Sequence, residues 1–221
     1  MQVRKLGWVL AYALAMAYAE AATVVYLRRV FGVVDLLRDT AVYDPRIAAI
    51  EIAREAATLV MLLALGFAAG RSLQARLGFA LFAFGTWDIL YYAWLKVLLD
   101  WPESLTTQDV LFLIPLPWWG PVIAPVLVAI LLLALGALLV VRDDHGRPAR
   151  LGPAGWGALV AGTILVLCAF MADALRALPA GAEELSRLKP GAFRWPLYLA
   201  GLGAMAFSVW RVMRPGTRPV S

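Results

Sequence analysis

Histidine and cysteine are almost missing from this chain, each occurring once, and lysine occurs only at positions 5, 96 and 189. Each scarcity removes a class of chemistry. The only histidine, His145, lies in a polar loop, so bis-histidine haem ligation, a histidine-rich di-iron site and a Ser–His hydrolase inside a membrane are excluded. The lone Cys168 lies in an apolar run; it leaves no internal disulfide, and with one distant histidine it makes no zinc site. Lys5, Lys96 and Lys189 all lie at the ends of apolar segments, which argues against a buried Schiff-base lysine. No glycine-rich phosphate loop is present, so the chain lacks the apparatus of an ATP-driven machine. No cofactor is expected. Any bound metal would be held by oxygen ligands, which suit Ca²⁺, Mg²⁺ or Mn²⁺.

Charge is scarce as well. Only 16% of residues are charged and 62% are hydrophobic, with a mean hydropathy of +0.77; a water-soluble domain is roughly half apolar and a quarter charged. Long apolar runs extend from end to end, so residues 1–221 read as a single transmembrane domain with no separate soluble part. The pI of about 9.7 does not indicate a nucleic-acid partner. The arginines are scattered at the ends of apolar segments, as membrane orientation requires, and the expected partner is the lipid bilayer.

Six segments are long enough to span, at about 7–27, 47–69, 73–99, 110–141, 155–178 and 193–213. The predicted fold is an all-α, six-helix membrane bundle with a proline-broken fourth helix. Asp44-Pro45 opens the second segment, Gly70-Arg71-Ser72 turns into the third, and Trp101-Pro102 ends it. With both termini in the cytoplasm, ten Lys and Arg residues flank the inner ends and seven the outer ends. That margin favours a bacterial-type inner membrane protein with N- and C-termini inside. Met1–Lys5, Leu6–Ala17 and Ala17-Tyr18-Ala19 also carry the pattern of a cleavable signal peptide, but the apolar run continues past that site to Arg28-Arg29 and reads better as a span. Val30–Leu37 is either a short interfacial helix on the outer surface or an ordinary loop. Residues 20–25 echo residues 55–60, each pairing Glu and Thr three apart on one helix face, which is either a trace of inverted-repeat symmetry or the chance likeness of alanine-rich helices.

Five carboxylates interrupt the apolar segments: Glu20, Glu51, Glu55, Asp88 and Asp173. Threaded at a rise of about 1.5 Å per residue, all five fall in the outer half of the bilayer. An acid at the centre of a membrane helix costs about 2.5–3.5 kcal/mol to insert, so five exposed to lipid would cost on the order of 10 kcal/mol or more. They must face inward, toward partners, water or a cation. Glu51, Arg54, Glu55 and Thr58 form one polar stripe on the second segment. Asp88, Tyr91 and Tyr92 share the third with Trp87 and Trp94, and Asp173 lies one turn from Arg176 on the fifth. The predicted proton- or substrate-binding residues are Glu20, Glu51, Arg54, Glu55, Asp88, Tyr91, Tyr92 and Asp173. Glu51 with Arg54, and Asp173 with Arg176, are equally read as plain ion pairs.

Pro115, Pro117, Pro121 and Pro125 prevent a regular helix across the start of the fourth segment. Either they free backbone carbonyls that line a wet cavity beside the carboxylates, or they end an interfacial stretch before a normal helix from Pro121 to Val141. Trp87, Trp94, Trp118 and Trp119 are candidate pocket-lining residues that would hold an organic cation by cation–π attraction; otherwise they belong to an interfacial aromatic belt. Three functions fit. The first is a proton- or cation-coupled transporter or channel-like protein with a carboxylate-lined cavity in the outer half of the membrane, which at this size would work as a homodimer. The second is a non-catalytic subunit or assembly factor of a larger membrane complex. The third is a lipid- or isoprenoid-modifying enzyme using a carboxylate acid/base pair. The sequence does not decide whether catalysis occurs.

Overall fold

The computed structural model describes residues 2–31, 45–186 and 188–214. Its elements run α1 (Lys5–Phe31), α2 (Pro45–Ala69), α3 (Leu73–Leu99), β1 (Gln108–Phe112), β2 (Trp118–Pro121), α4 (Ile123–Asp144), α5 (Pro153–Phe170), α6 (Ala172–Ala177), α7 (Ala182–Ser186) and α8 (Trp195–Met213). The expectation for residues 30–37 falls beyond Phe31 on residues outside the described set.

Among the described residues, five helices are long and apolar enough to cross a membrane: α1, α2, α4, α5 and α8. They expose large apolar side chains, and on α2 the polarity is inverted relative to a water-soluble bundle. On α2 the inward face carries Glu55, Thr58, Leu62 and Gly66, whereas Ile50, Val60, Met61, Leu63 and Phe67 are exposed. Water would penalise that apolar surface; lipid accepts it.

The 27-residue α3 is not among the five. It spends its length on Trp87, Asp88, Tyr91, Tyr92 and Trp94, and it is the helix around which α1, α2 and α4 pack. Enclosed by neighbours, α3 does not need a lipid-facing surface on every side. Its contacts are close because both partners supply small residues. A Cβ on Gly136 of α4 would lie 2.4 Å from the Phe82 nitrogen, and one on Gly85 of α3 would lie 2.4 Å from the Ala129 carbonyl oxygen. On the other side, Val9, Ala13, Ala17 and Ala21 of α1 recur every fourth residue and are fully covered, forming the ridge that seats α1 on α3. The second packed pair is α5 with α8, where a Cβ on either Gly162 or Gly201 would run into the other's carbonyl oxygen.

The proline-rich segment corrects the sequence expectation. Residues 110–121 are not a broken helix. They form an antiparallel hairpin in which Asp109 pairs with Gly120 and Val110 with Trp119, with a bulge between Val110 and Phe112. Pro115 and Pro117 lie in the connecting loop, where a missing N–H costs no ladder bond, and the β-favouring Trp118-Trp119 follow them. The regular helix begins only at Ile123. The fifth segment is also corrected: it breaks at Met171, so 155–178 is α5 followed by the short α6.

The hairpin covers one end of the bundle. Trp118 stacks on Phe170 at 5.9 Å with the rings 9° from parallel, and Trp119 is buried beside Ala174 and Leu185. The opposite end is closed by side chains. Gln2 donates through its backbone nitrogen to Asp144 (2.9 Å) and through its side chain to Asp143 (2.5 Å), while Ser72 donates to Asp143 and caps α3 at Ala75 (3.0 Å).

The Gly136 contact yields a direct test. Gly136→Ala should lower the melting temperature of the detergent-solubilised chain by the equivalent of about 1–3 kcal/mol. Gly203→Ala, inside α8 but where a Cβ meets nothing within 4 Å, should hold it or raise it slightly, because alanine favours the helix. Differential scanning fluorimetry on the two variants reads the contrast.

Candidate functional site

The carboxylates assemble at the hairpin-covered end because α1 and α3 run toward it and α2 runs away from it. Glu20 lies in the second half of α1, Glu55 in the first half of α2 and Asp88 in the second half of α3.

Arg54 is the centre of the first group. Its guanidinium meets Glu20 across the α1–α2 contact and Glu51 one turn away on its own helix, at 2.8 Å from Nη2 and 2.9 Å from Nε. Thr58 donates to the second oxygen of Glu20 at 3.4 Å. All three charged side chains are less than a quarter exposed, so loss of the arginine would strand two partly buried acids.

Glu55 lies on the same stripe, 8% exposed, and takes no share of Arg54 by hydrogen bond; its Oε2 accepts the backbone N–H of Leu113 at 2.8 Å. Leu113 is the first residue of the hairpin loop, so a helix carboxylate reaches directly to the tip of the covering element.

A second group sits at the base of the hairpin. Tyr92 donates its hydroxyl to Asp109 at 3.1 Å, and Asp109 is 3% exposed. Arg28, 9% exposed, lies over the Trp101 ring at 4.3 Å and is close enough to Asp109 to favour its charged form. Asp88 lies within electrostatic range of Asp109 and makes no hydrogen bond or ion pair with the described residues. Burial raises the Asp109 carboxyl from 3.8 to about 6, against the opposing effects of the Tyr92 hydrogen bond, Arg28 and the Val110 N–H. Sequence reasoning passed over both Asp109 and Arg28. Asp109 stands one residue before the expected fourth span, and Arg28 was accounted for as the stop at the end of the first.

Asp173 joins neither group. It pairs with Arg194 at 2.7 Å and accepts the Gly191 N–H at 2.9 Å, tying α6 to the start of α8. The expected pairing with Arg176 is therefore replaced: the helix breaks at Met171, and Asp173 sits in the first turn of α6. The tryptophans also divide. Trp87 stacks with Tyr91 at 6.2 Å, and Trp94 packs edge-on against Tyr18 at 5.2 Å, both on the carboxylate side. Trp118 and Trp119 belong to the α5–α8 side of the hairpin.

The bonds that knit the acids together leave them off the walls of the two described grooves. One, about 310 Å³, is lined by Leu59, Leu62, Leu63, Ala80, Leu81, Phe84 and Leu132. The other, about 220 Å³, is lined by Tyr18, Ala22, Val25, Tyr26, Arg29 and Leu98. Among the described residues no three His, Cys, Asp or Glu side chains converge as a metal site. Comparison with family models, curated proteins and solved structures finds no match. The long apolar helices and their exposed apolar surface define the class, a helical membrane protein; its activity rests on the site alone.

The Asp109 carboxyl predicts a pH dependence. Its folded-state value lies above its unfolded value, so its contribution to stability is full below about pH 4 and is lost as pH rises through about 6. The difference amounts to about 3 kcal/mol as an order of magnitude. Asp109→Asn should flatten the melting temperature between those pH values relative to the unsubstituted chain. Parallel pH profiles of the two proteins check this.

Proposed function

We propose that this chain is a proton- or cation-coupled membrane carrier whose exchangeable groups are Glu20, Glu55 and Asp88, with Glu51 and Arg54 setting their charge balance. The observation that carries this reading is the imbalance under the hairpin. The interactions described for Glu20, Glu51, Glu55, Asp88 and Asp109 among the described residues bring in two cations, Arg54 and Arg28. The excess carboxylates need protons or a bound cation when they lie in a low-dielectric interior. Tyr91 and Tyr92, which sit between the two groups on α3, supply hydroxyls for proton exchange, and Trp87 and Trp94 form the aromatic wall. Asp173, Trp118 and Trp119 hold the second helix pair and stay outside the exchange. The working unit is a pair of copies, each a single domain.

Reconstitution tests this reading. Proteoliposomes holding an inward pH gradient and a lumenal pH dye should show protein-dependent proton or cation flux, reduced at least tenfold by Glu55→Gln. Flux equal to that of protein-free vesicles rejects the carrier. A stoichiometric membrane partner in its place would favour an assembly subunit, and turnover of an isoprenoid or phospholipid would favour an enzyme.

The carrier reading also sets the topology. α3 crosses with the other five long helices, giving six spans, with the hairpin outside and both termini in the cytoplasm of a bacterial-type inner membrane. A reporter fused after Ser221 should be active only in its cytoplasmic form. Activity of a periplasm-dependent reporter at that site overturns the orientation.

A further inference from the structure

The hairpin touches the carboxylate groups at two points of different kinds. At its base, β1 contributes its own acid, Asp109, to the Tyr92 hydroxyl. At its tip it contributes only a backbone N–H, that of Leu113, to Glu55 of α2. The base is fixed further by backbone bonds, since Val122 donates to Thr107 at 3.0 Å and Ile123 to Leu105 at 2.8 Å. No comparable backbone bond joins the tip to α2 among the described residues.

We infer that the β1–β2 hairpin is the cover of the carboxylate site and that Glu55 is its latch, released when Glu55 takes up a proton or exchanges its partner for a cation. This rests on the carrier reading and adds how the site opens. An ionised carboxylate accepts an N–H bond roughly twice as strong as a neutral acid does. Protonation of Glu55 therefore weakens the hydrogen bond that ties the loop to α2, while Asp109, Tyr92 and the backbone bonds hold the base and Leu116 and Trp118 keep their packing on the α5–α8 side. The groups facing Glu55 are Glu51 and Arg54 on its own helix, Glu20 on α1 through Arg54, and Tyr91 on α3, which lies within range of Arg54; Asp109 stands at the far end of the hairpin.

The test measures distance across the molecule. In a Cys168→Ala background, spin labels at Leu116→Cys in the hairpin loop and Arg71→Cys in the exposed turn at the opposite end report the loop's height by double electron–electron resonance in nanodiscs. A single short distance is expected at about pH 8, with a second, longer population at about pH 5. Glu55→Gln should show the longer population at both pH values, and Asp109→Asn should keep the pH response. Leu113→Pro, which deletes the donor and leaves every carboxylate in place, should match Glu55→Gln and serves if that variant fails to insert. One unchanged distance in all these proteins at both pH values overturns the latch. Flux with a rigid hairpin would sink the latch and keep the carrier; a moving hairpin without flux would do the reverse.

Discussion

Arg54 is the group on which the hairpin-covered half depends. A carboxylate in a low-dielectric interior is tolerated only when its charge is met at close range. The structure meets two of them, on two helices, with one planar guanidinium. Lysine presents a point charge and would not serve both glutamates in this geometry; the fork of arginine does. Because Glu20 and Glu51 absorb that charge, Glu55 is left to find its partner elsewhere, and it finds the hairpin. The ion pairs on α1 and α2 and the position of the covering loop are thus parts of one electrostatic problem.

Much of this was legible beforehand, for physical reasons that differ between elements. The stripe of Glu51, Arg54, Glu55 and Thr58 follows from helical periodicity alone, since the face that is polar in a lipid-exposed helix must turn inward. The length of the apolar runs and the breaks between them located α1, α2 and α8 to within a few residues. Interhelical partners are another matter. That Glu20 would meet Arg54, or Asp173 meet Arg194, depends on which helices are neighbours, and one-dimensional periodicity carries no such information.

The prolines show where sequence reasoning misplaces its emphasis. Pro115 and Pro117 forbid a helix, as expected, but what replaces it was set by the aromatic and β-branched residues flanking them, which pair as strands. Asp109 illustrates the related failure. As a residue just outside an expected span it looked like an ordinary loop acid, whereas the hairpin folds it back under cover, against Tyr92 and Arg28. Irregular elements import polar groups into a bundle that hydropathy assigns to water.

The two ends of the bundle differ in kind, and that difference has an energetic meaning. At the end away from the hairpin, Gln2, Ser72, Asp143 and Asp144 stitch the start of α1, the α2–α3 turn and the close of α4 with bonds between polar groups that water can replace. Each of these bonds has an aspartate carboxylate as its acceptor and contributes about 1.5–3 kcal/mol net, so the seam parts one stitch at a time rather than all at once. Between the seam and the acids lies the α3–α4 spine, where backbone meets backbone at Gly85 and Gly136 with no slack. The molecule thus has a close-packed mast between a foot sewn by side-chain bonds to aspartate and a hairpin crown, and at those two positions of the mast a residue larger than glycine is shut out.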